Sequence, residues 1–79
     1  MVTIYIPTIG QVSIFLEPIT SIGSNFLLHG KDAHNNHIHI VADRFVFADD
    51  YISQYGYIHI IKYTIYNHTV PCDVLSSMA

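Results

Sequence analysis

Three histidines fall within six residues of the stretch AHNNHIHIVAD (33–43), and two of them, His37 and His39, are spaced two apart. Imidazole titrates near neutrality and is a common nitrogen ligand for zinc, so this H-x-H pair is the pattern in the chain with most chemistry to offer. On a strand, alternate side chains share a face. His37, His39 and Val41 then lie on one side, and Ile38 and Ile40 on the other. The preceding NFLLHG (25–30) has the same period. Folded back as a hairpin over a polar loop of about seven residues, it puts Phe26 and Leu28 in the core with Ile38 and Ile40. Leu27 and His29 join the histidine face.

In that register His29 stands opposite His37. His29, His37 and His39 become a candidate metal site, with His34 above them on the loop. Three histidines hold zinc or another divalent ion with one position left for water, and such a water is a hydrolytic nucleophile. The competing reading has the imidazoles solvated or hydrogen-bonded on a half-polar face, with no cofactor. Register separates the two, because a slip of one residue sends every side chain to the opposite face.

Gly30 ahead of His37-Ile38-His39, with Asp43 beyond, resembles the first motif of the cupins, in which H-x-H sits on a strand with a glutamate a few residues later. The pattern departs in glycine spacing and has Asp in place of Glu, and no second cupin motif follows. The chain is not assigned to that family. Other chemistry has less support. Cys72 lies four residues from His68 with no orienting group apparent, which suits a structural cysteine better than a nucleophile. Asp49 and Asp50 are adjacent and make a poor acid–base pair. No glycine-rich phosphate loop or serine elbow occurs.

These residues must be positioned by a small domain. Seventy-nine residues form a single domain, 1–79, with a thin stability margin. The lone cysteine excludes an internal disulfide and suits a reducing compartment, so a cytoplasmic location is expected. No basic, uninterrupted signal segment opens the chain, no stretch is long enough to span a bilayer, and the sequon at Asn67 is read as coincidence. Protonating all six histidines would turn the formal charge from −3 to +3.

Only 11% of residues are charged, against ~25% in typical domains. Some Tyr, Ile, Asn and His side chains must therefore face solvent, and an exposed apolar and aromatic patch marks an interface. Lys31, Arg44 and Lys62 are the only basic side chains besides histidine. Three dispersed cations do not make a phosphate-binding stripe, so direct nucleic-acid binding is not expected.

The chain reads as strands and turns. VTIYI (2–6) and QVSIFL (11–16) form a first hairpin around Gly10. EPITSIGS (17–24) reads as a loop or single turn, because Pro18 and Gly23 interrupt it. After the histidine hairpin, RFVFA (44–48) continues beyond a bend near Asp43. DDYISQYG (49–56) is the one helix candidate, short and near 50–55, with an aspartate cap and Gly56 as its end. In YIHIIKYTIY (57–66) the apolar face changes side midway, as in a strand that bends or bulges. TVPCDVL (69–75) reads as a last strand, which Pro71 confines to an edge. The expected fold is mostly β, a small antiparallel barrel or sandwich of six or seven short strands with one short helix; an α+β fold is the alternative.

The function expected from these features is non-enzymatic. The chain is read as a small interaction protein that binds another protein or itself. It would act as an assembly subunit, adaptor or inhibitor of the kind small phage or mobile-element proteins provide. Tyrosine buries area at modest entropic cost. Tyr51, Tyr55, Tyr57 and Tyr63, with Asp49 and Asp50, are the expected contact residues. Metal binding by His29, His37 and His39 is the alternative.

Overall fold

The computed structural model describes residues 2–46 and 56–78. Six strands follow in order: β1 (Val2–Ile6), β2 (Gly10–Ile22), β3 (Asn25–Asp32), β4 (His37–Val46), β5 (Tyr57–Ile65) and β6 (His68–Ser77). Each pairs antiparallel with the next in one sheet, β1-β2-β3-β4-β5-β6. The sheet curls into a half-barrel. Its end strands approach one another, and the Tyr5 N–H donates to the Ser76 hydroxyl at 2.9 Å across the seam. There is no helix among the described residues, and the expected helix near 50–55 lies outside them. Among the described residues no helix is long and apolar enough to cross a membrane.

Period-two alternation fills the concave face. Ile4 and Ile6, Val12 and Ile14, Leu28, Ile38, Ile40 and Ala42, Ile58 and Ile60 all point inward and are fully buried, with Tyr63 and Met78 completing the core. Each such Ile or Leu contributes about 1.5–3 kcal/mol by leaving water. Gly30 is buried among them because strand packing leaves it no room. A Cβ there would lie 2.6 Å from the Ser13 carbonyl oxygen and 3.0 Å from Ile14 Cγ2.

The turns follow their residues. Between β1 and β2, Ile9 N–H closes a turn onto the Ile6 carbonyl at 3.0 Å, and Gly10 adopts φ 85°. Pro7 presets the turn and glycine accepts the left-handed backbone. Between β3 and β4, the Asp32 carboxylate accepts from the His34 N–H at 2.9 Å and the Asn36 N–H at 2.8 Å. These backbone bonds, Asn36 first, hold its pKa below the ordinary value. Between β5 and β6, Tyr66 and Asn67 both have positive φ, 52° and 62°. That is the two-residue turn whose twist matches the flanking strands.

Two departures from regular pairing shape the sheet. The stretch 17–24, expected as a loop, instead carries β2 on to Ile22. Its irregularity is absorbed inside the strand. Pairing jumps from Phe15↔His29 to Thr20↔Leu27, so residues 16–19, including a cis Glu17-Pro18 bond, lie opposite Leu28 alone. Pro18 thus interrupts the ladder without ending the strand. The second departure lies in β4–β6. Pairing passes from Val41↔Lys62 to Ala42↔Ile60 to Arg44↔His59, leaving Ile61 extra on β5 and Asp43 extra on β4. In the next ladder, Ile60↔Val74 is followed by Lys62↔Pro71, leaving one residue extra on β6. Along β5 the inward residues accordingly step from Ile60 to Tyr63, which is the change of face expected within YIHIIKYTIY.

Candidate functional site

The convex face carries the polar and titratable side chains in rows set by pairing. One row runs Phe15, His29, His39, Thr64 and Thr69. The His29 and His39 rings meet edge to face with centroids 4.6 Å apart. Thr64 and Thr69 share a hydroxyl–hydroxyl hydrogen bond of 2.9 Å. His37 lies in the next row, opposite Lys31. The expected register is therefore corrected by two residues: His29 pairs with His39, not His37. The cause is Asp32, whose carboxylate shortens the loop to residues 33–36 and lengthens β3. An even shift preserves the face, so the three histidines remain on one side. Among the described residues, however, no three His, Cys, Asp or Glu side chains come together around a common ion position.

A different histidine is held by two carboxylates. His59 Nδ1 and Asp43 Oδ1 are 2.5 Å apart, and His59 Nε2 contacts Asp73 Oδ1. Asp43 is the extra residue of β4, and Asp73 lies at the matching irregularity of β6. The bulges re-aim both side chains toward the strand between them. A neutral imidazole has one N–H. Two carboxylate partners therefore favour the doubly protonated ring, and the pKa is raised by the Asp73 hydrogen bond first and the Asp43 bond next. With both nitrogens donating, the ring has no lone pair for a substrate proton. The arrangement is an electrostatic clasp across β4, β5 and β6.

This clasp is absent from the sequence expectations. Its members are separated by 16 and 14 residues, and only the bulges bring them together, so spacing carries no signal for it. Cys72 packs against the core and its thiol lies 3.6 Å from the Ile60 carbonyl. Burial, then the Asp73 charge, push its pKa up, the opposite of nucleophile activation.

Of the residues expected at an interface, Tyr57 is exposed on the convex face. Tyr63 is corrected: it is only 3% exposed, and its hydroxyl lies 2.7 Å from Thr8 Oγ1. The bulge before it turns its ring into the core. Asp49, Asp50, Tyr51 and Tyr55 lie outside the described residues.

Around Tyr57 exposed apolar side chains stand among polar ones. Val46, Tyr57 and Ser77 form one outward row, and Arg44, His59 and Leu75 the next. Leu75 is 68% exposed, and Val46 is exposed beside Tyr57. Across the seam, Tyr5 is 56% exposed on the strand whose N–H reaches Ser76. At the far end of the same sheet, Asn36, His37, His39, Thr64, Tyr66 and Asn67 line a cleft of about 310 Å³. Compared with models of protein families, with curated proteins and with solved structures, the chain matches none.

Proposed function

We propose that this chain acts by protein–protein contact, without catalysis of its own, and that it associates with a second copy of itself through Tyr5, Val46, Tyr57 and Leu75. One observation carries the reading: four large apolar side chains are exposed together on neighbouring strands and across the seam. In so small a protein such a grouping is costly to leave in water and is typical of contact surfaces. Charge favours a second copy as the partner. The patch is bordered by Arg44, which forms no ion pair among the described residues, and by the exposed carboxylates of Asp43 and Asp73. A two-fold contact that brings Arg44 of one copy to a carboxylate of its mate makes the same pair twice. The charge and cysteine content accord with a cytoplasmic protein that does not bind nucleic acid directly.

Light scattering on protein separated by size tests this reading. A dimer that becomes monomeric in Leu75→Asp and Tyr57→Ser, each still folded by circular dichroism, is the expected outcome. A monomer at every concentration would count against it.

A second reading, metal binding, has one observation in its favour, the contact between the His29 and His39 rings with His37 on the same face. Elemental analysis of untagged protein decides it. Stoichiometric metal that disappears in His37→Ala and His39→Ala would establish it, and metal-free folded protein would remove it.

A further inference from the structure

The cleft at the β5–β6 turn is lined by Asn36, His37, His39, Thr64, Tyr66 and Asn67. Its volume of about 310 Å³ sits at the lower end of ordinary small-molecule sites. Its lining contains no Asp, Glu, Lys or Arg. Two amides, two imidazoles, a hydroxyl and a phenol all both donate and accept hydrogen bonds. Asn36 is held in place by its own Nδ2 donating to Asp32 Oδ2 at 3.1 Å, which leaves its side-chain oxygen, Oδ1, for another partner. Thr64 is fixed through Thr69. Two members of the polar wall, Asn36 and Thr64, are therefore held in place.

Tyr66 is an independent pointer to the same place. It occupies a left-handed backbone position, φ 52°, that bulky side chains rarely adopt and that glycine, asparagine or aspartate would fill without strain. Its side chain gains little in return from the fold, since the residue is 68% exposed. A strained aromatic residue at the lip of a cleft, with most of its surface in solvent, has the mark of a residue kept for what it touches.

We infer that this cleft binds a neutral polyhydroxylated ligand, a hexopyranose ring, with Tyr66 as its apolar platform and Asn36, His37, His39 and Asn67 as hydrogen-bonding partners. Hydroxyl groups that both donate and accept match side chains that do the same, and the C–H face of a pyranose suits an exposed aromatic ring. The site is distinct from the Tyr5–Tyr57–Leu75 surface, so it does not depend on the association proposed above.

The test is an NMR titration of isotopically labelled protein with methyl glucopyranoside, methyl mannopyranoside and methyl galactopyranoside, each run with and without a chelator. Saturable shifts at His37, His39, Thr64 and Asn67 with at least one glycoside, unchanged by the chelator, are expected. Tyr66→Gly should keep the fold and weaken binding by about tenfold or more, as loss of an aromatic anchor does. Comparison with a reducing-end oligosaccharide of the same sugar separates a free monosaccharide from the terminal unit of a glycan. No saturable shift with any of the three glycosides overturns the inference. So does saturation by inorganic phosphate alone, or binding that Tyr66→Gly leaves intact.

Discussion

His59 Nδ1 lies 2.5 Å from the Oδ1 of Asp43, a residue that is extra on its own strand and meets the ring only because β4 bulges there. Asp73 reaches the other nitrogen from β6. Three strands are thereby tied through one ring on the convex face, beside the exposed apolar residues Tyr57 and Leu75.

This clasp makes stability depend on pH. His59 binds its proton more tightly in the folded chain than in the unfolded one. Its contribution is therefore complete below the reference value of about 6.5 and is lost as pH rises through the raised folded value. Urea midpoints compared on either side of neutrality should fall toward alkaline pH. The same series in His59→Gln should lose that component. An unchanged slope in the variant would mean that the clasp does not act on stability.

Gly30 is a steric requirement. In Gly30→Ala the new methyl group meets the Ser13 carbonyl, which belongs to the paired strand and has no rotamer to escape into. A loss of about 3 kcal/mol, the upper end of overpacking costs, is expected in chemical denaturation.

Tyr63 belongs to the core, and its hydroxyl ties β5 to the first turn through Thr8. Tyr63→Phe should lose about 1 kcal/mol, and Thr8→Val in the same background should add little, since the two share one bond. Neither change should alter self-association.

The strain at Tyr66 gives a prediction of the opposite sign. Tyr66→Gly should raise stability by about 1 kcal/mol by relieving the left-handed backbone, measured as a higher denaturant midpoint.

Much of this fold is legible in period two alone. The inward set Leu28, Ile38 and Ile40 and the outward set His29, His37 and His39 follow from alternation, and they survive a two-residue error in register. The bulge in β5 is also legible, since its apolar residues change parity between Ile60 and Tyr63. That change of parity likewise buries Tyr63, against the expectation of a ring at the surface. The length of β2 is hidden, because Pro18 and Gly23 are turn signals that the strand absorbs through irregular pairing. The clasp is hidden for a deeper reason. Whether Asp43 and Asp73 reach His59 depends on how three ladders share their extra residues, which no single segment encodes.

The most direct test of the proposed association is NMR cross-saturation in a mixture of labelled and unlabelled copies of the chain. Loss of amide signal concentrated at Tyr5, Tyr57, Leu75 and Ser77 is the predicted result. No transfer between copies, or transfer concentrated on Leu27, His39 and Val41 in the middle of the convex face, would contradict it.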